Sequence, residues 1–150
     1  MNKIIFTIFS FAFFTALNAS GVFACSCVPR GSESVETQVK EAYTNSTAVF
    51  VGKVVEVVKR RNSSFVTVRF RVEKSWNNEK FQKEITVSTG SNDGICGYSF
   101  EAGKKYLVYA SGGNNKLSTN ICTRTSAAGL NKDIAFLNKI KKAKIKSSPK

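Results

Sequence analysis

The four cysteines place the strongest constraint on how this chain can fold. They stand at Cys25, Cys27, Cys96 and Cys122, and an even set of this kind in an oxidising compartment predicts two disulfides. Three pairings are possible, but a bridge between Cys25 and Cys27 would be strained, so we expect each to reach forward to Cys96 or Cys122. Each bridge would then close a loop of about 70 to 100 residues, which stabilises the fold by up to about 4 kcal/mol. A zinc site is the rival interpretation, although the spacing lacks the short paired steps typical of structural zinc.

The residues before Cys25 have the pattern of an export signal. Lys3 provides the charged start, residues 4–17 are apolar and rich in phenylalanine, and small residues follow. The apolar run is about 14 residues long, which is shorter than the roughly 20 residues that a membrane-spanning helix needs. We therefore expect a cleaved signal and not a membrane anchor.

The position of cleavage decides which residue becomes the first. Val22 and Ala24 satisfy the small-residue rule, so cleavage is expected after Ala24, leaving Cys25 at the terminus. Cleavage after Ala19 and a lipoprotein signal that modifies Cys25 are the alternatives. The chain is then organised as a signal peptide (1–24), one domain (25–146) and a disordered tail (147–150), in a secreted or periplasmic protein that we expect to be monomeric.

Composition narrows the classes of function. The chain has no histidine and lacks the sequence motifs of hydrolase nucleophiles, zinc peptidases and phosphate-binding loops, so we expect no enzyme activity and no cofactor. The net charge of +13 predicts affinity for anionic glycans, other anionic surfaces or acidic partners. Export argues against a nucleic-acid partner.

Hydrophobic periodicity predicts a mainly β protein. Helices are expected where apolar residues recur at helical spacing, and strands where they alternate or cluster between turn residues. In chain order the predictions are a helix at 32–46, strands at 48–58, 65–76, 84–89, 105–111 and 116–120, and a helix at 130–144. Within them we expect Val66, Val68, Phe70 and Val72 on one strand face, a bend at Gly52, and Val35, Val39, Tyr43, Ile134, Leu137 and Ile140 turned inward. Five short strands between two helices predict a five-stranded Greek-key barrel of the OB type.

Four passages of the chain resemble one protein family. They are residues 25–29 (Cys-Ser-Cys-Val-Pro), 48–54, 95–100 with 106–108, and 117–122. Together they resemble the N-terminal domain of the tissue inhibitors of metalloproteinases, within the netrin-like superfamily. The resemblance implies disulfides Cys25–Cys96 and Cys27–Cys122, and it implies a secreted inhibitor of zinc metalloendopeptidases with an OB-like barrel.

The resemblance also implies which residues contact the protease. The N-terminal segment would enter the protease cleft like a substrate, with the loop around Cys96 packed beside it; the residues are Cys25, Ser26, Cys27, Val28 and Pro29, then Gly94, Ile95, Cys96 and Gly97. The chemistry supports this, because the free amine and carbonyl of Cys25 can chelate one zinc ion of the target. The protein would hold no metal of its own. The alternative is a netrin-like module without inhibitory activity, whose basic surface binds anionic glycans, lipid or an acidic protein.

Overall fold

The computed structural model describes residues 25–27, 31–77, 83–92, 95–113, 116–127 and 131–147, with side chains of the last segment described from Lys132 to Ala143. The expected signal peptide, and most of the expected tail, lie outside these residues. Among the described residues, no helix has both the length and the apolar character needed to cross a membrane.

The described residues form two helices and six strands. In chain order these are α1 (Val35–Thr44), β1 (Ala48–Lys59), β2 (Phe65–Ser75), β3 (Glu84–Gly90), β4 (Lys105–Gly113), β5 (Lys116–Ser118), β6 (Ser126–Ala127) and α2 (Asn131–Ser147). All of the predicted helices and strands are present, with ends shifted by a few residues. The two-residue β6 was not predicted.

The strands close into a barrel. β1 pairs with β2, β2 with β3, β5 with β4, and β4 with β1, all antiparallel, while β3 and β5 pair in parallel over Val87–Ser88 and Leu117–Ser118. β6 pairs with β4 further along the same edge that β5 occupies. The predicted fold class is therefore confirmed: a closed five-stranded, OB-like barrel with flanking helices.

The barrel interior is filled by the strand face that the alternation predicts. Val68, Phe70 and Val72 are buried, and Val66 packs against them partly buried. Phe70 meets Phe50 and Phe100 edge to face, with ring centroids 5.4 and 5.2 Å apart. Such contacts add stability beyond that of the buried area.

The bend predicted at Gly52 is also present. The register of β1 against β2 shifts between Val51 and Gly52, as expected of a β-bulge. A Cβ at Gly52 would lie 3.1 Å from the Arg71 carbonyl oxygen and 3.2 Å from the Phe50 ring. The absence of a side chain therefore lets β1 bend tightly around the interior.

The helices cover the outer side of β1 and β4. A second apolar cluster joins them to the sheet, and its buried members are Val39, Val49, Trp76, Leu107, Tyr109 and Leu137. Ile134 is partly buried there as predicted. The prediction for Val35 is wrong, since this side chain is 40% exposed. The reason is that α1 begins only at Val35, after Ser34 caps it by accepting the Thr37 amide N–H at 3.2 Å.

A buried ion pair fixes α2 to the segment after β5. Two guanidinium nitrogens of Arg124 donate to the two carboxylate oxygens of Asp133 at 2.9 and 2.8 Å, and a third donates to Gln38 of α1. Tyr109 also donates to Asp133, at 3.4 Å. Donation of these hydrogen bonds to the Asp133 carboxylate raises the pKa of Arg124, which keeps its guanidinium charged.

We predict that Asp133→Ala destabilises the fold by about 3–5 kcal/mol, because it leaves the Arg124 charge buried without a partner. The two side chains are only 15% and 2% exposed. The matched control is Glu101→Ala, which breaks the Lys104–Glu101 pair, where the side chains are 60% and 65% exposed. Exposed pairs contribute less than about 1 kcal/mol. Urea unfolding measures both variants, and equal losses would contradict the structural role of Asp133.

Tyr109 predicts how stability depends on alkaline pH. Burial, together with the negative charge of Asp133, raises its pKa well above the ordinary value near 10. Above about pH 10 the unfolded chain loses the phenolic proton while the folded chain keeps it, so stability falls by about 1.4 kcal/mol per pH unit. Tyr109→Phe removes this contribution, and its stability loss between pH 10 and 12 should be smaller than that of the wild type. Parallel curves would contradict the prediction.

Candidate functional site

Two disulfides attach residues 25–27 to the barrel. Cys25 is bonded to Cys96, with 5.4 Å between the Cα atoms, and Cys27 to Cys122, with 5.2 Å. This is the pairing that the resemblance implies. All four cysteines are thereby oxidised, which leaves no thiolate for the rival zinc site.

The two bridges lie side by side. The sulfur atoms of Cys25, Cys96 and Cys122 are all within 4.8 Å of one another, so one sulfur of the second bridge is next to the first bridge. The loops that carry them are joined as well, since the Ile121 amide N–H donates to the Cys96 carbonyl oxygen at 3.0 Å. The segment 25–27 and the two loops therefore form one unit, which we call the clamp: Cys25, Ser26, Cys27, Ile95, Cys96, Ile121 and Cys122.

The clamp presents its N-terminal part to solvent. Ser26 and Cys27 are exposed and Cys25 is half-buried. Ile95 is 42% exposed on the neighbouring loop, whereas Gly97 is buried. Six of the nine predicted contact residues are thus brought together: Cys25, Ser26, Cys27, Ile95 and Cys96 belong to the clamp, and the buried Gly97 supports it. The other three, Val28, Pro29 and Gly94, lie outside the described residues.

A close backbone crossing holds the loop that carries Cys96. A Cβ at Gly97 would clash with the Gly90 carbonyl oxygen and lie 2.9 Å from the Asn92 carbonyl oxygen. The Gly97 amide N–H donates to that Asn92 oxygen at 3.0 Å, and Tyr98 N–H donates to the Thr89 hydroxyl at 2.8 Å. The loop is therefore folded tightly onto the end of β3.

Cys96 itself has a backbone φ of 56°. This is the left-handed region, which non-glycine residues seldom adopt. The chain therefore turns at Cys96 itself to reach Cys25, next to the point where Gly97 crosses Gly90.

The loop that carries Cys122 is held by hydrogen bonds of its own residues and by an ion pair to helix α2. Asn120 accepts the Cys122 amide N–H through its side-chain oxygen at 2.9 Å, and the Thr123 hydroxyl donates to the Asn120 carbonyl oxygen at 2.9 Å. Arg124, two residues beyond Cys122, makes the buried pair with Asp133. The position of the Cys27–Cys122 bridge is therefore tied to helix α2.

Ile121 is a candidate contact residue that sequence reasoning missed. It is 39% exposed and adjoins Cys122, and its amide contacts the loop of Cys96. A large apolar residue next to a bridged cysteine, in a turn of polar residues, is the signal that would have indicated it.

A row of cations crosses the outside of the barrel. Lys53 of β1 lies opposite Arg71 of β2 on one side and Lys105 of β4 on the other, and all three are exposed. Like charges placed directly opposite one another in a sheet destabilise it. Glu73 neutralises Lys105 through a contact of 2.9 Å, while no ion pair of Lys53 or Arg71 is found among the described residues.

Together the fold and the site define a class: an OB-like barrel on which residues 25–27, with Ser26 and Cys27 exposed, are held by two adjacent disulfides. These bonds indicate an oxidising compartment. No protein-family model and no curated protein matches the sequence.

We predict that Gly97→Ala destabilises the oxidised protein by about 1–3 kcal/mol, because the added methyl group meets backbone atoms that cannot rotate away. The control is Gly113→Ala, where an added Cβ meets nothing within 4 Å. Thermal unfolding of both variants with intact disulfides measures the difference. A Gly97→Ala variant as stable as the control would contradict a close backbone crossing at Gly97.

Proposed function

We propose that the protein is a secreted or periplasmic inhibitor of zinc metalloendopeptidases, related to the tissue inhibitors of metalloproteinases and to netrin-like modules. The observation that carries the proposal is the clamp: the segment Cys25-Ser26-Cys27, half-buried at Cys25 and exposed at Ser26 and Cys27, is fixed to the barrel at both cysteines. The proposal requires cleavage after Ala24, which turns the nitrogen of Cys25 into a free amine.

The chemistry of such a terminus suits a catalytic zinc. Zinc accepts nitrogen and oxygen ligands at about 2.0–2.2 Å, and a catalytic zinc keeps one position open for water. The amine and carbonyl oxygen of Cys25 take that position in our proposal. An α-amino group ordinarily has a pKa of about 7.7–8.0, so the proton is displaced near neutral pH at modest cost.

The neighbouring residues extend the contact. Ser26 is exposed, and its small hydroxyl fits a protease specificity pocket beside the zinc without filling it. Ile95 and Ile121, 42% and 39% exposed, provide apolar contacts on the two loops of the clamp. Because both bridges hold the segment before binding, little further ordering entropy is lost in the complex.

The first test is the state of the terminus. Intact mass and N-terminal sequencing of the exported protein should show a chain that begins at an unmodified Cys25 and carries two disulfides. A start at Ser20, or a lipid on Cys25, would contradict zinc chelation.

The second test is inhibition of a panel of purified zinc endopeptidases. We predict that one alanine added before Cys25 weakens inhibition by about thirtyfold or more, the effect of losing an interface hot spot. Thermal stability should be unchanged, because the bridges and the barrel remain. Serine in place of the exposed Lys142 of α2 serves as the control and should inhibit normally. Unchanged inhibition by the extended chain would overturn the proposal.

The cation row favours a second candidate function, the binding of an anionic partner through the basic surface. Lys53 and Arg71 lie exposed and directly opposite each other. Binding by this surface survives the added alanine but weakens as salt is raised, whereas zinc chelation has the opposite pattern.

A further inference from the structure

The turn between β1 and β2 is flanked by exposed apolar side chains at the ends of the two strands. Phe65 is 60% exposed and Val58 is 39% exposed. Val58 lies opposite Thr67 in the β1–β2 pairing, and Phe65 precedes Thr67 by two residues on the same strand, so both side chains are on the outer face of the sheet. We call residues 58–65 the hairpin tip.

Most of the Phe65 side chain is left uncovered by the described barrel. Its cross-strand partner in β3 is Gly90, which has no side chain. The interior is already filled by the alternate residues of β2, among them Val68 and Phe70, both fully buried. The phenyl ring of Phe65 is therefore not needed to fill the core.

The same tip is cationic. Lys59, Arg60 and Arg61 follow Val58 directly, and all three are exposed. Among the described residues, no ion pair involves any of them; the nearby carboxylate of Glu56 pairs instead with Arg69, at 2.9 Å. Three uncompensated positive charges thus stand next to two exposed apolar side chains.

The tip is also ordered internally. Ser63 accepts the Phe65 amide N–H at 3.1 Å through its hydroxyl and donates to the Phe65 carbonyl oxygen at 2.9 Å. The Ser91 amide N–H donates to the Ser64 carbonyl oxygen at 3.0 Å, and Asn62 makes the turn with a φ of 64°. A preformed tip loses little conformational entropy when it meets a partner.

We propose that the hairpin tip docks on an anionic lipid bilayer, with Phe65 and Val58 entering the boundary between headgroups and acyl chains and the three cations contacting acidic headgroups. Charge complementarity selects an anionic partner. The apolar side chains select a bilayer over a polysaccharide, because only the bilayer offers an apolar layer directly beneath its charged surface. The docking needs neither the amine of Cys25 nor zinc, so the membrane proposal and the protease-inhibition proposal can be tested independently.

The experiment measures binding of the oxidised protein to vesicles at millimolar lipid, comparing phosphatidylglycerol-rich with pure phosphatidylcholine vesicles. Binding is expected only to the anionic vesicles. Arg60→Ser with Arg61→Ser should weaken it about thirtyfold, at about 1 kcal/mol per cation. Phe65→Ser should weaken it about tenfold, as expected for partial burial of one phenyl ring.

Matched variants on the helices make the same change in net charge, or remove one exposed apolar side chain, at a distance from the hairpin tip. Lys40→Ser with Lys142→Ser removes two exposed charges, and Val35→Ser removes an apolar side chain that is 40% exposed. Both should bind as the wild type does. Equal weakening by the two charge pairs would show that net charge alone drives adsorption and would overturn the proposal.

Insertion has a direct readout in Phe65→Trp. Its emission should shift to the blue on anionic vesicles and be quenched by brominated acyl chains, while the buried Trp76, 5% exposed, supplies a constant background. Binding without a shift, or preferential binding to an anionic polysaccharide that Phe65→Ser leaves unchanged, would contradict membrane docking.

Discussion

The two adjacent disulfides are the constraint on which the candidate site depends. Among the described residues, no hydrogen bond involves Cys25, Ser26 or Cys27, so the bridges to Cys96 and Cys122 are what hold this segment on the barrel. Two attachment points two residues apart fix both position and direction, which a single bridge would not. A segment held in this way can be exposed and ordered at once, the combination that a preorganised binding surface requires.

The clamp is only as rigid as the loops beneath it. One loop is held by the crossing of Gly90 and Gly97, and the other by the buried pair Arg124–Asp133. These supports come from different layers, since the crossing lies at the end of β3 whereas Asp133 is on helix α2. The helices thus contribute to the site without forming any part of its exposed surface.

The sequence predicts the barrel well because the barrel depends on local patterns. Alternation in β2 and the valine-rich β1 place the interior residues correctly, and the bend at Gly52 follows from a glycine within a strand. The pairing of the cysteines does not follow from such local patterns. The positions of the cysteines allow either Cys96 or Cys122 as the partner of Cys25, and only the family resemblance implied which one it is. Such contacts join positions 71 and 95 residues apart, a separation for which single-sequence periodicity carries no information.

The errors have local physical reasons. The strand predicted at 116–120 is too long, since β5 ends at Ser118. The next residue, Thr119, instead donates its hydroxyl to the Tyr109 carbonyl oxygen at 2.9 Å. Strand β6 was not predicted because its two residues are too few to display an alternating pattern. In the sequence, Asp133 looks like an ordinary acidic residue in the first turn of a helix. It is buried because it pairs with Arg124, which lies nine residues earlier in a loop.

Packing on both faces of the sheet limits where a partner can bind. The first half of β1 and most of β4 are buried against the barrel interior on one face and the helices on the other. The second half of β1 is exposed from Glu56 onward, because it extends past the last β4 partner, Lys105, which lies opposite Lys53. The core therefore leaves the clamp and the hairpin tip free, and Gly90 lies between them, paired with Phe65 and packed against Gly97. A partner that engages one of these surfaces consequently lies close to the other.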